Sequence, residues 1–249
     1  MTQAFHKGRG FSLAYQPIYD LASGTPVKVE ALLRWRHPLL GQISPGEFIP
    51  VAERTGQIAQ IGLWVLSEAC RAAQAWPQVR LSVNVSAVQL GRADFAAQVL
   101  AVLERSGLPP GRLELELTET ALLHESEQVR ANLGELHRHN IGVTIDDFGA
   151  GYSNLARLRS PWVRGVKLDR SLTSDLAAPS GDFSRQLMRS AAQLAQSQNA
   201  TTTAEGLESA AHVEAARRLG CQLVQGYALS YPLNAEQFTQ LLQMTHTTA

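Results

Sequence analysis

The pattern of this chain predicts an α/β fold, a modified TIM-type (β/α)8 barrel with an antiparallel first strand, on three observations. Eight short β-type runs alternate with longer amphipathic stretches across the 249 residues, the alternation that closes a parallel barrel. Barrels of this kind run to about 200–250 residues as one unit. No repeat, low-complexity tract or linker interrupts the chain, so residues 1–249 read as a single domain. Finally, the first two runs are separated only by DLASGTP. That is too short for the crossover helix parallel neighbours require, so they pair antiparallel.

The elements follow in order. FSLAYQPIY (11–19) and VKVEALLRW (27–35) form the opening hairpin. Residues 36–62 carry several Gly and Pro, which predicts an irregular excursion or a short extra helix before the long helix of IAQIGLWVLSEACRAAQAW. Then come strands RLSVNVS (80–86), RLELELT (112–118), GVTIDD (142–147), GVKLD (165–169), TTTAE (201–205) and LVQGY (223–227). Between most of them, Leu, Val and Ala recur at three- and four-residue steps, as in FAAQVLAVLERSG and SEQVRANLGELHRHN, the spacing of one helical face. Ser, Asp and Asn start these helices, and Gly107, Gly142 and Gly220 stand where helices end before the next strand. Trp64 and Trp76, at helical positions, read as packing residues.

Composition removes several classes of function. The 22 Lys and Arg balance 22 Asp and Glu, so the positive field with which nonspecific binders gather a phosphate backbone is missing, and long DNA or RNA is excluded as a partner. No run approaches the roughly 20 apolar residues a bilayer demands, and the N-terminus has no signal-type apolar core. The expectation is a cytoplasmic protein with no membrane partner. Cys70 and Cys221 lack metal or redox spacing and read as reduced, buried thiols. No phosphate loop, HExxH or GxSxG elbow is present, and GAG at 149–151 lacks the third glycine of a dinucleotide fingerprint.

Chemistry enters with the polar residues near the C-terminal ends of the strands: Glu30, Asn84, Glu116, Asp146 with Asp147, Lys167, Glu205 and Gln225. In an α/β barrel those ends converge on the rim where active sites are built. Carboxylates gathered there repel one another until protons or a cation neutralise them. An all-oxygen donor set without His or Cys favours Mg²⁺ or Mn²⁺ over zinc. Asp146 and Asp147 suit a pair of ions if the second aspartate turns back over the rim, and ion pairs of this kind cleave phosphodiesters. Each residue also has a plainer reading: Asn84 as a turn residue, Gln225 as a backbone hydrogen-bonder, Lys167 as a snorkelling surface lysine. Their coincidence at one end of seven strands favours the site.

The motifs Glu30-Ala31-Leu32 within VEALLRW, SVNVS (82–86), ELTE (116–119), DDFGAGYSNL (146–155), KLDRS (167–171), AEGLE (204–208) and QGY (225–227) resemble, in order and spacing, those of the EAL-domain cyclic di-GMP phosphodiesterases. The likeness extends from YQPI (15–18) to the final helix. It implies a barrel with an antiparallel first strand, acting as a homodimer, that hydrolyses cyclic di-GMP to linear pGpG with water activated by two Mg²⁺ or Mn²⁺ ions. It implies Glu30, Asn84, Glu116 and Asp146 as ligands of a first metal, and Asp146, Asp147 and Glu205 around a second. Lys167 would contact the attacking water, and Glu205 is also a candidate general base. Arg34 matches the phosphate-binding arginine, Gln16 and Leu32 the substrate groove, and Gln225 the phosphate region. Glu119 resembles an anchor of the DDFGAGYSNL loop that couples dimerisation to metal binding. The plainer readings are a local ion pair for Arg34 and a helix cap for Glu119. The chain departs from the family at Ala150 and Asn154 in that loop. Ala228-Leu229-Ser230-Tyr231-Pro232 follows QGY, removing an aromatic and a cation expected near the rim. The alternative functions are a catalytically silent cyclic di-GMP receptor and a scaffold that uses the barrel for protein contacts.

Overall fold

A computed structural model gives the fold; it describes residues 10–122, 126–151, 155–174, 176 and 181–247. Strands β1 (Phe11–Asp20) and β2 (Pro26–His37) pair antiparallel, with Gln16 opposite Glu30 and Phe11 opposite Trp35. The turn between them closes because the Asp20 carboxylate accepts the Ser23 amide at 2.8 Å while Gly24 takes φ 70°, a conformation without penalty for glycine.

The segment after β2 is more ordered than its composition suggests. A three-residue strand β3 (Gly41–Ile43) folds back on β2, and helix α1 (Pro45–Arg54) follows at once. Both readings of 36–62 were incomplete, because the excursion holds a strand as well as the extra helix. Proline at the first helical position and a Ser44 amide donating to Glu47 at 3.0 Å start α1 where a Pro-rich stretch reads as a breaker.

The remainder alternates. Helix α2 (Ile58–Ala73) leads to β4 (Arg80–Asn84), the single turn α3 (Ala87–Leu90) and α4 (Phe95–Ser106) to β5 (Leu113–Thr118), and α5 (Glu127–Arg138) to β6 (Gly142–Phe148). Then come β7 (Val163–Leu168), a short α6 (Arg170–Thr173), α7 (Asp182–Ser197), β8 (Thr201–Ala204), α8 (Ala210–Arg218), β9 (Leu223–Val224) and α9 (Ala235–Thr247). Gly107 and Gly220 end their helices with positive φ, whereas Gly142 opens β6 and Asn140, at φ 65°, makes the turn assigned to it.

Eight strands close the barrel in the order β1-β9-β8-β7-β6-β5-β4-β2, sealed by β1 against β2, with β3 added at one side of β2. Within the barrel all neighbours are parallel except those of β1, which runs against both β2 and β9; the added β3 is antiparallel to β2. Successive strand residues face opposite sides. One set, including Val29, Leu81, Val83, Leu115, Ile145 and Val166, is buried in the layer between strands and helices. Trp76 fastens α9 to β1, packing edge-on against Tyr15 and Phe238 while its indole donates to Thr239 at 2.8 Å. Both cysteines are free and buried.

The alternate set is polar. In its lower layer Glu114 is paired with Lys28 and, at 2.7 Å, with Arg80, and it accepts a hydrogen bond from Thr144 at 2.9 Å. Burial alone would raise the Glu114 carboxyl; Lys28 first and Arg80 second hold it down to about 2. This ion cluster plugs the barrel beneath the site. Among the described residues no helix is long and apolar enough to cross a membrane.

Candidate active site

The same inward parity that places Glu114 in the lower layer carries Glu30, Asn84, Glu116, Asp146 and Lys167 to the upper end. Glu205 and Gln225 extend the ladder just past β8 and β9: the Glu205 amide donates to the Leu168 carbonyl at 3.1 Å and the Gln225 amide to Ala204 at 2.9 Å. Seven positions spread over two hundred residues of sequence therefore share one rim.

Lys167 lies at their centre and is 2% exposed. Its Nζ is 2.6 Å from Glu205, 2.8 Å from Glu116, 3.0 Å from Glu30 and 3.4 Å from Asp146. A snorkelling surface lysine is thereby overturned. Glu30 also accepts from Asn84 at 2.6 Å and from Gln225 at 2.8 Å, so both amides serve the carboxylate and the plainer readings of each fail.

Asp147 arrives differently. Between the Ile145–Val166 and Phe148–Leu168 pairs, β6 has two residues where β7 has one, a bulge that leaves Asp147 as the extra residue. It takes φ 55° and its amide donates to the Asp146 carboxylate at 3.0 Å. Backbone in this left-handed region costs a non-glycine residue about 1 kcal/mol.

Four acids around one ammonium cannot all stay ionised. Burial raises the Glu30 carboxyl, but Lys167 and the hydrogen bonds from Gln225 and Asn84 outweigh it, so Glu30 lies below the usual carboxylate range. Glu116 is pushed well above that range by burial and then by the charge of Glu30. Burial likewise raises Glu205 to about 8, against the pull of Lys167. Burial opposes the charge on Lys167, yet the surrounding acids, Glu116 foremost, raise it well above its ordinary value and keep it an ammonium.

Among the described residues no three His, Cys, Asp or Glu side chains already surround a point an ion could take, since the acids close on Lys167 instead. The donor chemistry nevertheless fits a hard divalent cation. All the ligating atoms on offer are oxygens, and Glu116 Oε1 is buried without a hydrogen-bond partner, as is Gln225 Oε1. A buried carboxylate oxygen left in that state costs about 1–3 kcal/mol or more, and a cation removes the deficit.

Two cavities flank the Glu30–Asn84 contact. One of about 260 Å³ is bordered by Gln16, Lys167, Glu205 and Gln225. The other, about 530 Å³, runs past Leu32, Arg34, Asn84 and Glu116 with an apolar wall from Ile49, Ile58 and Ile61. Arg34 donates to the Leu33 carbonyl at 3.1 Å, and among the described residues no carboxylate pairs with it. Glu119 is buried and opens a 3-10 turn, Glu119–Leu122, whereas the next α-helix begins at its own cap, Ser126. Tyr152, Ser153 and Asn154 of the loop lie outside the described residues.

The first cavity has lip residues that the strand-end reading missed: Arg170, Glu208 and Tyr227. Their signals were KLDRS, AEGLE and QGY, read only as motif carriers. Tyr231, within the segment after QGY that departs from the family, stacks on the lip residue Tyr227 with ring centroids 4.4 Å apart.

Fold and centre together define a class: an α/β-barrel protein with a buried cluster of acids around one lysine at the carboxyl ends of its strands. The chain belongs to the EAL domain family, whose model matches residues 1–232. It is 39% identical over 242 residues to a protein of Pseudomonas aeruginosa named bifunctional diguanylate cyclase/cyclic di-GMP phosphodiesterase MucR, covering 95% of this chain and 35% of that protein. It is 39% identical over 236 residues to the cyclic di-GMP phosphodiesterase NbdA of the same organism, covering 93% of this chain and 30% of that protein. The chain thus spans about a third of the length of these curated relatives. A solved structure of the PaMucR phosphodiesterase in complex with c-di-GMP superimposes with a TM-score of 0.88 at 38% identity, covering 95% of this chain and 97% of that one.

Proposed function

We propose that this chain hydrolyses cyclic di-GMP to linear pGpG with two Mg²⁺ or Mn²⁺ ions. The observation that carries the reading is the four-acid centre around Lys167 with its unpartnered Glu116 oxygen. The names of the relatives MucR and NbdA support the substrate. Glu30, Asn84, Glu116 and Asp146 would hold one ion, and Asp146, Asp147 and Glu205 the other. When bound, the ions supply positive charge to the phosphodiester oxygens and make water more acidic.

The chain's own residues do the rest. Lys167 Nζ, kept protonated by its neighbours, donates to the attacking water and orients it toward phosphorus. Glu205 takes that water's proton at the carboxylate oxygen turned from Lys167, or serves only as a ligand. Arg34 holds a phosphate oxygen, Gln16 and Leu32 bound the groove, and Gln225 steadies Glu30 while offering its free carbonyl oxygen. The water oxygen forms a bond to one phosphorus as the bond from that phosphorus to a ribose 3′ oxygen breaks, and the 3′ oxygen takes up the proton the water gave up, returned by Glu205 or by solvent; the second phosphodiester stays intact, which makes the product linear.

The same proposal covers residues 1–249 as one barrel unit working in the cytoplasm, where two free buried thiols are at home. It includes a homodimer in which Glu119, buried directly after β5, anchors the loop beyond Asp147. The test is incubation of purified protein with cyclic di-GMP and Mg²⁺ or Mn²⁺, chromatography for pGpG, and a Glu30→Ala control. Product from the wild type alone is the expected result. Nucleotide binding without product would make the chain a silent receptor, and neither would make it a scaffold.

A further inference from the structure

Two exposed tyrosines stand face to face, one of them, Tyr227, at the border of the smaller cavity. Tyr227 and Tyr231 are 53% and 64% exposed, yet their rings stack at 4.4 Å with planes 28° apart. Elsewhere in the described chain, large aromatic rings are mostly folded into the core, as Trp35, Trp76 and Phe238 are. A paired aromatic surface left in water is an unusual expense for a fold, and its position gives it a use. Tyr227 borders the cavity that contains Glu30, Asp146, Lys167 and Glu205.

The backbone that carries the pair is tied down. Leu207 donates its amide to the Gln225 carbonyl at 3.2 Å and accepts the Ala228 amide at 2.9 Å, while Leu229 and Ser230 donate to the Gly226 carbonyl at 3.0 and 3.1 Å. A Cβ at Gly226 would run into the backbone of Leu207, so only glycine allows this approach. Beyond the turn, Leu233 exchanges two hydrogen bonds with Tyr15 of β1 at 2.7 and 2.9 Å. Both ends of the segment are therefore fixed to the barrel, one directly beside Gln225 and Glu205. Ring faces presented on such a mount lose little freedom when a flat ligand settles on them.

We propose that the Tyr227–Tyr231 stack is a platform for a purine base of the substrate, and that Tyr231 sets nucleotide affinity at this site. The inference rests on the proposed hydrolysis and deepens it, since it names what holds the base while the phosphodiester lies over the acids. A ring stacked on tyrosine is read by its π face, which suits any purine. The neighbouring Arg170–Glu208 pair, 2.6 Å apart at the lip, adds polar edges beside it.

The experiment measures cyclic di-GMP hydrolysis and, separately, equilibrium binding by calorimetry with the divalent ion chelated, for wild type, Tyr231→Ala, Tyr231→Phe and Tyr227→Ala. Loss of a base–aromatic stack predicts that KM and Kd rise roughly 5- to 150-fold in both alanine variants. The change in kcat is small by comparison, and Tyr231→Phe restores wild-type values because the ring face returns without the hydroxyl. A merely structural tyrosine would lower the melting temperature and kcat without this split. Unchanged KM and Kd in Tyr231→Ala overturn the platform while leaving the hydrolase intact. Wild-type binding that weakens in Tyr231→Ala without any product sustains the platform and overturns the hydrolase. Absence of both binding and product from the wild type overturns both.

Discussion

Lys167 is buried among more acids than it can neutralise, and each acid responds according to its own neighbours. Asp146→Ala, like Glu30→Ala, removes charge from the rim and no volume from the core, so turnover falls below detection while the far-ultraviolet circular dichroism stays that of the wild type. Glu116→Gln separates stability from activity. Its carboxyl is raised well above the ordinary range by burial and by Glu30, so a neutral amide relieves the folded state. With the divalent ion chelated, this variant should gain roughly 0.5–2 kcal/mol in urea unfolding at pH 7 and lose activity. Glu114 behaves in the opposite sense. Its folded value of about 2 lies below the ordinary 4.5, so its stabilisation is complete above about pH 4.5 and disappears as pH falls toward 2, a loss of about 3 kcal/mol. Glu114→Gln should show a correspondingly shallower decline in unfolding free energy over that interval. Glu30, Asn84, Glu116, Asp146 and Lys167 were legible because each alternates with apolar neighbours on its strand, whereas Gln16, Leu32, Arg34 and Glu119 were named from the motif resemblance alone. Tyr231 and Arg170 were not legible, since a lip is made by loops whose direction no periodicity encodes.

At the scale of elements, strand existence was readable from alternation, and the boundaries shifted mainly where side chains override it. Glu205 and Gln225 lie one residue beyond β8 and β9, held by ladder-like amide bonds without being strand residues. The extra helix was offered within 36–62 only as an alternative to an irregular excursion, and β3 escaped notice, because glycine and proline, which break elements in their interiors, also start them. The β6 bulge could be anticipated only as a need for Asp147 to turn back; the structure supplies the backbone that does it. Asp147→Gly tests that trade directly. Glycine relieves a strained φ and should stabilise the barrel by about 1 kcal/mol in thermal unfolding. The same change removes a carboxylate, and cyclic di-GMP turnover should fall sharply.

The whole barrel is a frame around a charge imbalance, with a neutralised ion cluster at its floor and an unneutralised one at its mouth. A divalent ion binding only the folded chain stabilises it by RT ln(1 + [L]/Kd), so the melting temperature rises with ion concentration. Calorimetry with Mg²⁺ or Mn²⁺ against a chelated control should show that rise, and Glu116→Gln should blunt it. Ca²⁺ should stabilise too but support poor turnover, because its looser and larger coordination does not hold two ions in register; robust hydrolysis in Ca²⁺ would contradict this. The reversed β1 also has a mechanical consequence. Since Phe11 lies opposite Trp35 and not opposite Pro26, β1 begins at the end of the barrel where β2 finishes, the end toward which Glu30 and the acid cluster lie. A displacement of Phe11 along β1 therefore reaches Gln16, the partner of Glu30, along a single ribbon, without first crossing the floor.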